Sequence, residues 1–176
     1  MRERYASGID DATAKKMIDL LNANLANLID LSMDSKQCHW NLQGTGFIGV
    51  HQLLDDTYGR LTEAYDTVAE RIVILGGKAN GISKRVVEDS ILETYPTDIT
   101  EVDQHVRELT NRYKTIAASL REGIDAAGDA GDEDTADLLT EISRTVDKDA
   151  WFIGANAPKN NIFVPKPVIP IKQVYQ

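Results

Sequence analysis

One cysteine, Cys38, stands in 176 residues, so no intrachain disulfide can form and a reducing, cytoplasmic setting is expected. No apolar run is long enough to cross a bilayer, and the opening MRERYASGID lacks the apolar core of a signal peptide. Basic side chains are outnumbered: 19 Lys and Arg against 28 Asp and Glu leave a net charge of −9. That deficit argues against a large exposed basic surface for nucleic acid and suits a protein that attracts cations. Proline is scarce before residue 157, since four of the five fall in the last 20 residues, and the body is free to form long helices. Repeats and low-complexity tracts are missing.

What is present describes one domain with a sizeable core, 42% hydrophobic and 27% charged. Residues 1–10 read as a mobile arm. Asp11 or Thr13 is placed to cap a helix running to about Asn41, with Met17, Leu20, Leu21, Leu25, Leu28 and Leu31 as a core stripe at spacings of three and four. Asn22, Asn24 and Asn27 are unusual helix residues that suggest an interface. Gly44-Thr45-Gly46 breaks the helix, and Phe47 opens a second one that reaches Leu75. Its expected core positions are Val50, Leu54, Tyr58 or Leu61, Tyr65, Val68 and Ile72. A long connection follows, with a short helix from Lys84 to Glu93. Asp98 or Thr100 caps a third long helix reaching about Ala127, and Asp134 or Thr135 opens a fourth that ends near Asn156. The proline-rich remainder is expected to lie extended against its own subunit or a neighbour. Four long helices with one crossover describe an all-α, ferritin-like bundle over 11–156, an arm over 1–10 and a tail over 157–176.

The chemistry concentrates in His51 to Glu70. His51 with Asp55, and Asp66 with Glu70, are i,i+4 pairs on one side of one helix. Asp55 and Asp66 lie eleven residues apart, roughly 16 Å along the axis, whereas two-metal sites hold their ions about 3.5–4 Å apart. One copy therefore cannot close both pairs around one such site. The pairs mirror each other about a point between Arg60 and Leu61, so an antiparallel two-fold partner would set His51 and Asp55 against Glu70 and Asp66 of its mate. Gly59 beside that crossing leaves room for close approach. The hairpin about Thr45 adds His39 next to His51. The competing reading is a set of solvated polar residues on an amphipathic helix. Two imidazoles with three carboxylates favour iron, manganese or zinc over magnesium or calcium. The Glu-x-x-His pattern of a within-chain di-iron bundle is missing. His105, which follows Glu101 by four, reads as a surface residue.

The segments Lys36-Gln37-Cys38-His39-Trp40-Asn41, Phe47 to Asp55 and Asp66 to Arg71 resemble the signature of the Dps family, the mini-ferritins. Asp134 to Asp137 and the Asp147 to Phe152 pattern are similar to the same family. The resemblance covers about 11–156. It implies a hollow dodecamer with a ferroxidase site at each two-fold interface, in which His39, His51 and Asp55 come from one subunit and Asp66 and Glu70 from its mate. It implies Fe(II) oxidation, preferably by hydrogen peroxide, with ferric mineral stored in the cavity and zinc or another divalent metal able to occupy the site at rest. Trp40 is then a core or interface aromatic, a sacrificial electron donor, or both.

Family members carry acid-lined three-fold pores, and Asp137 with Glu141 are the candidates here, although an acidic first turn also suits a helix dipole. DNA compaction in the family typically uses a Lys-rich terminus. Here the arm holds Arg2 and Arg4 without lysine, and Lys159, Lys166 and Lys172 are spread among apolar residues, so weak or no DNA binding is expected. The alternative is a nucleoid-compacting protein whose metal chemistry is secondary.

Overall fold

In the computed structural model, which describes residues 3–158, the first helix begins at an aspartate. Asp10 accepts backbone hydrogen bonds from Ala12 and Thr13, both at 2.9 Å, and so caps α1 (Asp11–Asn41) one residue before the earliest expected cap. The leucine stripe from Leu20 to Leu31 is buried along this helix, as is Met17. Gly46 then adopts φ 84° and starts α2 (Phe47–Ile74), a left-handed backbone that favours glycine. Val50, Leu54, Leu61, Val68 and Ile72 form the buried face of α2, joined by Thr57 and Ala64; Tyr58 and Tyr65 are only half-buried.

The crossover holds α3 (Ser83–Asp89), shorter than the expected helix. It ends where Gln43 and Glu101 pair in an isolated bridge, the Gln43 N–H donating to Thr100 and the Val102 N–H to Gln43. That bridge sets the start of α4 (Val102–Asp129) beside the α1–α2 turn, so the crossover runs the length of the bundle. Glu101 caps α4 in a capping box with Gln104, in place of Asp98 or Thr100. Asp132, not Asp134 or Thr135, caps α5 (Glu133–Gly154). α1 pairs with α2 and α4 with α5, while α1 against α4 and α2 against α5 close the four-helix, ferritin-like bundle. No helix among the described residues is long and apolar enough to cross a membrane.

Asn22 and Asn27 of α1 face the crossover, whereas Asn24 donates to the Leu20 carbonyl of its own helix and lies beside Gly123 of α4. Asn22 accepts from the Asn80 N–H and donates to the Lys78 carbonyl, and Asn27 accepts from the Ile91 N–H at 3.0 Å. These side chains replace the hydrogen bonds that an irregular segment lacks. Arg112 does the same further along, donating to the carbonyls of Glu93 and Thr94 while pairing with buried Asp34 at 2.7 Å. Two ion pairs tie α2 to α5: Arg60 to Asp149 and Arg71 to Asp132, each at 2.7 Å with the aspartate buried. Residues 3–10 lie against the end of α2, where the Tyr5 and Ala6 N–H groups donate to the Ile74 carbonyl. The expected tail from Lys159 onward, with Lys166 and Lys172, lies outside the described residues, as does Arg2.

His105 corrects the reading of it as a surface residue. It is 1% exposed, and its Nδ1 is 2.8 Å from the Tyr95 hydroxyl. The crossover folds back over the first turns of α4 and covers it. Burial holds the His105 imidazole below its usual value, opposed by the Ile99 carbonyl. The unfolded chain therefore binds this proton more readily than the fold. The stability that neutral His105 contributes is complete above the unfolded value of 6.5 and is lost as pH falls from there towards the lowered folded value. Urea midpoints are expected to drop more steeply below that pH in the wild type than in His105→Gln. Equal slopes would show that the ring charges freely inside the fold.

Candidate metal centre

The α1–α2 turn fixes the register in which His39 and His51 meet. Their rings stack with centroids 3.7 Å apart and an interplanar angle of 21°. Each ring is held by the other's backbone: Nδ1 of His39 lies 3.0 Å from the His51 carbonyl, and Nδ1 of His51 lies 3.0 Å from the His39 carbonyl. A carbonyl only accepts, so both Nδ1 atoms carry the proton. In the neutral rings this leaves both Nε2 lone pairs for a ligand, the arrangement that metal-binding histidines commonly use. Phe47, one turn before His51, packs against its ring at 5.0 Å.

Asp55 stands one turn beyond His51. The ligand-capable atoms of His39, His51 and Asp55 all lie within 4.8 Å of one another. His39 is buried, His51 half-buried and Asp55 exposed, so the cluster opens on a face of the subunit. The Lys36 ammonium donates to the Asp55 carboxylate at 2.5 Å. Chiefly through that bond, and against some desolvation, it holds Asp55 below the usual carboxylate range. Lys36 was not among the residues expected at the site. Its spacing from His39, three residues on one helix, was the available signal.

Asp66 and Glu70 are exposed on the later turns of α2, outside this cluster. An open, mostly apolar hollow of about 550 Å³ lies beside Glu70, lined also by Tyr5, Ala69, Val73, Ile74 and Ala79. Gly59, between the two halves of α2, has nothing within 4 Å of where a Cβ would stand. Trp40 is 63% exposed and so is not a core residue of the single chain. Asp137 and Glu141 are both exposed on the first turns of α5. Asp132, just before them, is taken up by its cap and by Arg71, whereas Asp134 faces solvent.

Comparison with known proteins follows the same lines. The Ferritin-like domain family matches residues 18–159. A DNA protection during starvation protein of Agrobacterium fabrum is 43% identical over 145 residues, covering 82% of this chain and 90% of that protein. Among solved structures, a tetragonal form of Mycobacterium smegmatis Dps has a TM-score of 0.84 at 30% identity, covering 88% of this chain and 93% of its own. DpsC from Streptomyces coelicolor has a TM-score of 0.85 at 28% identity, with 93% and 96% covered.

The Lys36 ammonium stands in the way of a dication approaching Oδ1 of Asp55. Titration with Co(II), followed by its visible absorbance, is expected to show tighter binding in Lys36→Met than in the wild type. Weaker binding in the variant would mean that Lys36 orients Asp55 instead of competing for it.

Proposed function

The chain belongs to the ferritin-like proteins and, among them, to the Dps family, whose business is iron storage and protection of DNA in starvation; on that premise we propose that it is a ferroxidase that oxidises Fe(II) with hydrogen peroxide and stores the ferric product. The observation that carries this reading is the reciprocal lock between His39 and His51, which presents two Nε2 atoms beside the Asp55 carboxylate. Mixed nitrogen and oxygen donors suit iron and also zinc, which would occupy the site at rest.

Three ligands from one chain leave a dinuclear site incomplete. Asp66 and Glu70 supply the remainder from a two-fold mate. Both are exposed, and Asp66 and Glu70 sit roughly 16 Å and 22 Å along α2 from Asp55, too far to turn back within the chain. The bare surface at Gly59 gives the two helices room to cross. The full site is then His39, His51 and Asp55 facing the mate's Asp66 and Glu70, repeated through a hollow dodecamer in the cytoplasm. At the filled site, two Fe(II) ions give two electrons to one peroxide. With two protons the O–O bond breaks to two waters, so no hydroxyl radical leaves. Exposed Trp40, next to His39, packs at the interface and donates an electron to stray oxidants. Asp137 and Glu141 line the acidic entry for Fe(II).

Mixing Fe(II) with peroxide and following ferric absorbance tests the reaction, which is expected to run well above the buffer rate. A rate equal to the buffer alone would refute it. Co-assembly of His51→Ala with Asp66→Ala tests the shared site. Each mixed dimer carries both lesions in one site and neither in the other, so a mixed dimer should regain about half of the wild-type activity and a random one-to-one assembly about a quarter. No recovery would place all five ligands within one chain.

A second reading, compaction of DNA, is favoured by the similarity to the DNA protection during starvation protein of Agrobacterium fabrum. A net charge of −9 per chain opposes it. In gel shifts the assembled protein is expected to release DNA at moderate salt, and a complex that persists there would reverse the ranking.

A further inference from the structure

Asn80 is the only asparagine of the chain followed by a glycine. It lies in the irregular stretch between α2 and α3, half-buried, with Gly81 exposed. Asn80 combines two freedoms that no other asparagine among the described residues combines. Its carboxamide makes no hydrogen bond there, and neither does the Gly81 N–H that follows it. Asn22, Asn24, Asn41 and Asn156 each donate to the carbonyl four residues earlier, at 2.7 to 3.0 Å. Asn27 accepts from Ile91, and the N–H after Asn111 is engaged inside α4.

The surroundings of Asn80 hold one side of it and release the other. Its own N–H donates to Oδ1 of Asn22 at 2.9 Å, and Nδ2 of Asn22 donates to the Lys78 carbonyl at 3.2 Å. Helix α1 thus grips the crossover up to residue 80. Rotation about the bond from Cα to the main-chain carbonyl carbon of Asn80 stays open, and that rotation swings the Gly81 nitrogen towards the carboxamide. Asparagine is thermally labile, and a side chain on the next residue hinders this approach. Glycine has none and is free in backbone conformation.

We infer that Asn80-Gly81 is a self-modification site, at which the chain converts Asn80 to isoaspartate and so loosens the grip of α1 on the crossover. With its proton taken by hydroxide, the Gly81 nitrogen attacks Cγ of Asn80. The N–Cγ bond forms, and Nδ2 takes up a proton and leaves as ammonia. Water opens the resulting five-membered succinimide. Breaking the N–Cγ bond gives aspartate. Breaking the bond from that nitrogen to the main-chain carbonyl carbon gives isoaspartate, whose chain continues through Cβ and Cγ. Asparagine and water have become an acid and ammonia, with no oxidant or reductant needed. The isoaspartyl chain is longer by a methylene and carries a new carboxylate. Asn22 pins the crossover at residue 80 and Asn27 pins it at residue 91, so the added length falls between two fixed points. Gly81, where a Cβ would stand 3.2 Å from Cδ1 of Ile29, is then pushed off its seat on α1.

The test uses the assembled full chain, aged in heavy-oxygen water at neutral and at mildly alkaline pH, with a peptide of residues 78–84 as the unstructured reference. Peptide mapping reads heavy oxygen gained at residue 80, and an isoaspartyl methyltransferase counts the isoaspartate. The folded chain is expected to react at Asn80 within a few-fold of the peptide, faster at the alkaline pH, while Asn22, Asn24, Asn27 and Asn41 stay intact. Gly81→Ala should slow the reaction several-fold. Asn80→Gln, which needs a larger ring and leaves Gly81 undisturbed, should slow it at least as much. Amide hydrogen exchange between residues 81 and 91 should quicken in the isoaspartyl form but not in Asn80→Asp, which adds the charge without the methylene. A folded rate far below that of the peptide, or equal rates at Asn41 and Asn80, overturns the inference. Undiminished reaction in Asn80→Gln does the same, and unchanged exchange in the isoaspartyl form overturns the loosening. The reaction needs no iron, so each result stands apart from the ferroxidase reading.

Discussion

The two imidazoles hold each other through the backbone of the opposing helix, and this requires a register between α1 and α2 that tolerates almost no slip. The turn from Gly44 to Gly46 supplies it. Both glycines have positive φ, at 106° and 84°. A Cβ on Gly44 would stand 2.9 Å from the Glu101 carboxylate, so the turn is also closed from outside by the start of α4. One extra residue taken up into the first turn of α2 would rotate the rest of that helix by about 100° against α1 and separate His39 from His51 and Lys36 from Asp55.

Charge is distributed along α2 in a way that separates scaffold from site. Arg60 and Arg71 each consume a buried aspartate of α5, so Asp149 and Asp132 hold the bundle together and leave the solvent. Breaking either pair would strand an unpaired buried charge, a loss of about 3–5 kcal/mol. The carboxylates assigned to the proposed site and pore, Asp55, Asp66, Glu70, Asp137 and Glu141, are all exposed on the chain. In the proposed assembly these are the groups that meet cations, so the net negative charge works where it is free to do so.

A buried polar layer runs behind this surface. Arg112 pairs with Asp34, holds two crossover carbonyls and lies 4.9 Å from the Tyr95 ring centre; Tyr95 in turn meets His105. The layer gives the carbonyls of an irregular segment partners as it crosses the bundle.

Periodicity alone determined the helices. The stripe of α1 is buried as spaced, because apolar residues at three and four can reach a common core only on a helix. The glycine break and the symmetry of His39 and His51 about Thr45 made their meeting legible too, since a short turn leaves one way to pair two long helices. The caps were misplaced by one to three residues because several competent side chains stand together, as at Asp10, Asp11 and Thr13, and only backbone geometry selects among them. Tyr65 packs against the core while only half-buried, and the small residues Thr57 and Ala64 take fully buried positions on α2. His105, Asn22, Asn27 and the Lys36–Asp55 pair were decided by tertiary structure. Their partners lie on the crossover or on a facing helix, and local spacing carries no information about what a long connection folds back to cover.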